Sequence, residues 1–183
     1  MTDERIDEFS DNRSTSRYQS LLRDLGGLIV SVALALAVAG VAGLATLNSV
    51  EGWYAVAEKP LLNPPGQLFG PVWAVLYSVM AVAAWLVWRQ GPSADRTLAL
   101  RLYGGQLALN AGWTPVFFLL YDAIGGVALW IALGWIVVLD FIVLATVIRF
   151  WPLHRAAAVL IVPYWAWLLY ATALNASIAM MNG

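Results

Sequence analysis

Cysteine is absent from this chain of 183 residues, so neither disulfides nor thiolate metal sites are available to it. There is one histidine, His154, which argues against a zinc or haem centre built on imidazoles. There is one lysine, Lys59. Charged residues make up 11% of the chain, where a soluble domain carries about a quarter. The net charge of −1 gives no electrostatic reason to bind nucleic acid. A Ser-His-Asp set, a Gly-rich phosphate loop, paired carboxylates and a metal-ligand cluster are all missing, so no catalytic or metal-binding residue is assigned.

What fills the chain instead is apolar: 61% of it is hydrophobic. A soluble fold of this size could not hide that much apolar surface, so lipid must be part of its solvent. A helix crossing the bilayer core needs about 20 apolar residues. Five segments meet or approach that length: Leu25–Leu47, Val72–Trp88, Thr97–Tyr121, Ile124–Phe150 and Ala156–Met181. The second is short and is expected to begin a turn earlier, near Leu68. The expected fold is an all-α integral membrane protein, a bundle of five transmembrane helices spanning residues 25–183.

Residues 1–24 differ. They hold six acids and four arginines without hydrophobic period, and read as a disordered or loosely helical tail. Ala37-Val38-Ala39 resembles a signal-peptidase site, but the preceding region is net negative and the apolar run continues to Leu47, which fits a signal peptide poorly.

Charge sets the expected orientation. Arg5, Arg13, Arg17 and Arg23 precede span one, Arg89, Arg96 and Arg101 join spans two and three, and Arg149 and Arg155 join spans four and five. The other side has Lys59 alone. The positive-inside rule then puts the N-terminus in the cytoplasm, and the first loop and the C-terminus outside.

That first loop is unusually constrained. Between Trp53 and Tyr77 it carries Pro60, Pro64, Pro65 and Pro71 with a Trp53-Tyr54 pair. Such a loop shapes a lid rather than a tether. Of the ten tryptophans, Trp88, Trp151, Trp53 and Trp73 suit an interfacial belt. Trp113, Trp130, Trp135 and Trp167 sit deeper. They serve either helix packing or an aromatic cavity for a flat apolar ligand.

Polar residues within the spans fall on faces. Gln106, Asn110 and Thr114 share one face of span three, beside Trp113 and Phe117. Tyr164, Trp167, Ala171 and Asn175 share one face of span five. Pro115 and Pro163 should bend these two helices. The two amides are interhelical glue, worth roughly 0.6–2 kcal/mol each, or pocket groups, or both. Asp140 lies about 15 Å deep at the helical rise, where an acid costs roughly 2.5–3.5 kcal/mol by insertion scales. It must be protonated or paired, and no base lies at similar depth. Asp122 reads as a turn residue and His154 as solvated. Ala39, Gly40 and Gly43 form a small-residue patch in span one that would let helices approach closely.

The motifs together resemble the TspO family of tryptophan-rich sensory and translocator proteins, also called peripheral-type benzodiazepine receptors. Trp53-Tyr54, Lys59-Pro60, Pro64-Pro65, Pro71-Val72-Trp73 and Leu76-Tyr77 are similar to its first loop and second helix. Gln106 to Phe118, with Asn110, Trp113 and Pro115, is similar to its third helix. Pro163-Tyr164, Trp167, Ala171 and Leu174-Asn175 are similar to its fifth. The resemblance runs from about Leu47 to Asn182. It implies a five-helix bundle, a homodimer, and a pocket under the first loop for porphyrins, haem-pathway intermediates or benzodiazepine-type molecules, with no required cofactor. Carried over by motif, Trp53, Tyr54, Pro60, Asn63 and Pro64 would form the lid. Asn110, Trp113, Trp167, Ala171 and Asn175 would form the wall.

The chain also departs from that family. Leu62 and Gln67 stand where the family often has tryptophan around its Pro-Pro pair. Asp140 lies deeper than the family's acid in the fourth helix, and no Tyr followed by Lys or Arg comes after Asn175, so a sterol motif has no support. The resemblance leaves three functions open: a tetrapyrrole receptor or transporter, a light-dependent porphyrin-degrading enzyme working through tryptophan, and a regulatory partner acting through the tail.

Overall fold

A computed structural model of the chain describes residues 22–183 apart from 38, 39, 42, 43, 45 and 46. The tail up to residue 21 and two members of the small-residue patch, Ala39 and Gly43, therefore lie outside the described residues. Helix α1 covers residues 22–37, so Arg23 and Asp24 are already helical. Two short helices follow, α2 (Leu47–Glu51) and α3 (Trp53–Val56). Four long ones complete the chain: α4 (Gly66–Trp88), α5 (Ala94–Ile124), α6 (Val127–Phe150) and α7 (Arg155–Asn182). No strand occurs among the described residues.

All four long helices are long and apolar enough to cross a membrane. Helix α4 begins at Gly66, nearly two turns ahead of the apolar run at Val72 and two residues before Leu68, with Pro65 at its N-cap, where a helix tolerates proline. The protein is a membrane protein with several apolar helices, whose exposed residues, such as Val138, Phe141 and Val159, form an apolar outer surface suited to lipid.

Local chemistry sets the helix ends. The Ser93 hydroxyl accepts from the Arg96 amide at 3.1 Å and starts α5. His154 has a task that its sequence position does not reveal. Its Nδ1 accepts from the Ala157 amide at 3.2 Å and caps α7. Gly125, at φ 64°, ends α5 in the left-handed region that favours glycine. Next to it, a Cβ on Gly126 would lie 2.8 Å from the Asn182 carbonyl oxygen, so the α5–α6 turn packs directly on the last turn of α7.

Helix α6 packs between α5 and α7, and α7 packs in turn on α4. The core between them buries Met80, Val87, Leu139, Val143, Phe150, Ile161 and Leu168. Alanines 81, 83, 128, 132, 157 and 158 are completely buried at the crossings, and their small size lets the backbones come close. At the opposite end from the first loop, α1 is tied to the end of α4. The Trp85 indole donates to the Asp24 carbonyl at 2.7 Å, and Arg89 pairs with the Asp24 carboxylate at 3.0 Å. That ion pair is half exposed and contributes at most about 1 kcal/mol.

Candidate functional site: an aromatic cavity beneath the first loop

A cavity of about 560 Å³ opens between α4, α5 and α7, with Leu36 of α1, Val50 of α2 and Tyr54 of α3 on its remaining side. Each long helix contributes one stripe at helical spacing. From α4 come Phe69, Trp73 and Tyr77, from α5 Asn110, Trp113, Thr114 and Phe117, and from α7 Trp167, Ala171, Leu174, Asn175 and Ile178. Among the described residues the lining carries no charged side chain.

Of the ten residues expected from the sequence, Tyr54, Asn110, Trp113, Trp167, Ala171 and Asn175 line the cavity. Trp53, Pro60, Asn63 and Pro64 do not; they shape the loop beside it. The Trp53 ring stacks on Tyr121 at 3.8 Å, and its indole donates to the Phe118 carbonyl at 3.0 Å. Asn63 accepts from the Tyr54 hydroxyl at 3.3 Å, and its backbone amide donates to the Pro60 carbonyl at 2.9 Å. Its side-chain amide donates to the Pro64 carbonyl at 3.1 Å. Burial pushes the Tyr54 phenol above its ordinary range; the Asn63 hydrogen bond offsets this in part and the nearby Tyr170 adds to it. Lys59 sits 4.8 Å from the centre of the Tyr54 ring and donates to the Ala55 and Ala57 carbonyls.

The loop is fastened at three further points that sequence reasoning missed. The backbone amide of Glu58 donates to Asn182 Oδ1, and Asn182 Nδ2 returns a bond to the Glu58 carbonyl, each at 2.9 Å. The Tyr170 hydroxyl donates to the Leu62 carbonyl. The Ser49 hydroxyl donates to Asp122 at 2.7 Å, so Asp122 is more than a turn residue. Bonds between a loop and a distant helix end leave no periodic trace, and nothing in the sequence signals them. The α4 stripe is different. The spacing 69, 73, 77 is legible and would have added Phe69 and Tyr77 to the wall.

The polar face of α5 divides. Gln106 turns into the core, where Tyr164 donates to its Oε1 at 3.0 Å and its own amide meets Met80 Sδ at 3.8 Å. Asn110 donates to the Tyr164 hydroxyl at 2.7 Å while also lining the cavity. Asn175 accepts from the Trp113 indole at 3.3 Å and donates to the Leu129 carbonyl at 3.0 Å. Both amides therefore bind helices together at the cavity wall. The tryptophans divide too. Trp113, Trp167 and Trp73 line the cavity, whereas Trp135 packs on Gly112 with its indole on the Leu109 carbonyl, and Trp130 is half exposed. The Trp167 Nε1 atom is buried and meets no acceptor among the described residues.

Residues 31–181 match the model of the TspO/MBR family. The chain is 34% identical over 155 residues to the tryptophan-rich protein TspO of Archaeoglobus fulgidus, covering 85% of this chain and 96% of that one. It is 38% identical over 125 residues to the human translocator protein, covering 67% and 70%. It is 38% identical over 132 residues to the tryptophan-rich sensory protein of Cereibacter sphaeroides, covering 72% and 78%.

Proposed function

This chain belongs to the TspO/MBR family, and from that premise we propose that it is a membrane receptor or transporter-like protein that binds tetrapyrroles or similar flat apolar molecules. The observation that carries this reading is the cavity. Its volume of about 560 Å³ falls within the roughly 300–1,000 Å³ of small-molecule sites. Its wall is aromatic on three helices, and rigid rings supply contact area at little entropic cost. Trp167 lends part of its ring to that wall, while its indole Nε1 is buried and meets no acceptor among the described residues. Porphyrin or haem would enter as ligand rather than as resident cofactor, and a benzodiazepine-type molecule suits the same walls.

In the membrane, α1 would be the fifth span beside α4–α7. The arginine asymmetry would keep the N-terminus cytoplasmic and the first loop and C-terminus outside. The loop from α2 to Pro65 would then act as a lid, fastened to α7 through Asn182 and Tyr170. A homodimer is favoured by the exposed Gly104, Gly105 and Ala108 on α5, where a second helix could approach closely. Chemical crosslinking in bilayers tests it, and monomers alone would count against it.

Titration with protoporphyrin should quench tryptophan fluorescence to saturation. Trp167→Ala or Asn110→Ala should weaken binding by about tenfold, the equivalent of one lost buried hydrogen bond or contact. Linear quenching that these variants leave unchanged would overturn the reading. One observation favours a second reading, light-driven porphyrin breakdown: Trp73, Trp113 and Trp167 all border the same cavity. A light-dependent product spectrum that needs the protein and disappears in Trp167→Phe would separate an enzyme from a binder.

A further inference from the structure

Asp140 belongs to neither the cavity nor the loop, and the hydrogen bonds around it do not close if it is ionised. It lies on α6 facing α7 and is 8% exposed. Its Oδ2 stands 2.7 Å from the Thr172 hydroxyl. The same hydroxyl stands 3.0 Å from the Leu168 carbonyl, one turn back on α7. A threonine hydroxyl has one hydrogen to donate, but it can also accept. A carbonyl can only accept, so if both contacts are hydrogen bonds, the hydroxyl donates to Leu168. The contact at Oδ2 is then closed by a proton on Asp140; were Thr172 to donate to Asp140 instead, the charge would leave Oδ1 buried without a partner among the described residues. The distance of 2.7 Å is ordinary for an O–H···O bond. The other carboxyl oxygen, Oδ1, is buried and has no partner among the described residues. An unpaired oxygen is tolerable on a neutral acid and costly on a buried carboxylate.

We infer that Asp140 is a buried proton-binding site, a neutral carboxylic acid that donates from Oδ2 to Thr172, which in turn donates to the Leu168 carbonyl. The ligand of this site is a single proton, and among the described residues no counter-ion pairs with it. The arginine of α6, Arg149, lies nine residues further along the helix (149 − 140), or about 13 Å by helical rise. Arg155 of α7 is seventeen residues before Thr172 (172 − 155). The titratable neighbour on α7 is Tyr164, whose hydroxyl is already engaged with Gln106 and Asn110. Thr172 adjoins Ala171 and precedes Asn175 by three residues, and both of these line the cavity. The proton therefore fastens the cavity-wall helix to α6 from behind.

Infrared spectroscopy of the full chain in lipid at neutral pH reads this directly. The wild-type protein should show a carbonyl stretch of a protonated carboxyl that shifts in heavy water. Absence of that band in the wild type would overturn the inference without recourse to any variant. Asp140→Asn keeps the shape and a donor towards Thr172, and should fold and lose the band; a band retained in this variant would also overturn it. Thr172→Val should leave the band but move it to higher frequency, because the carboxyl loses its acceptor. A band unmoved in Thr172→Val would refute the donor assignment.

Discussion

Replacing Tyr164 by phenylalanine deletes one oxygen but strands two amides. Asn110 loses its acceptor and Gln106 loses its donor, both in a fully buried position. The expected cost is about 1–3 kcal/mol, read as a lower thermal midpoint in detergent, because buried partners keep their desolvation penalty. Gly112→Ala should act by volume instead. Its Cβ would lie 2.7 Å from Trp135 Cζ2, and the Trp135 ring is held by its bond to the Leu109 carbonyl. Overpacking of this kind costs about 1–3 kcal/mol. An unchanged thermal midpoint would show that the ring can swing aside. At this scale the sequence was partly legible. Asn110, Trp113, Trp167, Ala171 and Asn175 could be read as cavity residues because each recurs at helical spacing with other polar or aromatic groups. Trp130, Trp135 and Trp113 could not be told apart, because depth in a span says nothing about which way an indole points.

Among the elements, the long helices were the easiest to foresee. Apolar length alone placed α4–α7 within a few residues of their ends, and the shortness of the second apolar run pointed to a start near Leu68, two residues inside the observed one at Gly66. The loop was harder. Its prolines announce rigidity, but its two short helices and its anchor points depend on partners far away in sequence. Removing one anchor should therefore loosen the loop without disturbing the bundle. Asn182→Ala loses both bonds to Glu58. Hydrogen exchange at the Glu58 amide should rise while that of α6 stays protected. If the loop gates the cavity, the ligand should also leave faster. Unchanged exchange at Glu58 would mean that Tyr170 and Trp53 suffice to hold the loop.

At the scale of the whole molecule, the missing cysteine becomes an experimental advantage. A single cysteine introduced at Glu58 has no background thiol to compete with it. A membrane-impermeant maleimide should label it in intact cells, whereas labelling only after lysis would reverse the proposed orientation. The Glu58–Asn182 pairing also carries a consequence for how the molecule is made. Its two partners are 124 residues apart, and Asn182 is in the last turn of α7. Chains emerge and fold from the N-terminal end. Throughout synthesis, then, the loop waits without its Asn182 clasp, and the cavity gains its α7 wall only when that helix arrives. If the loop is the lid proposed above, a ligand present during membrane insertion would meet an open basin, and one added later a fastened roof.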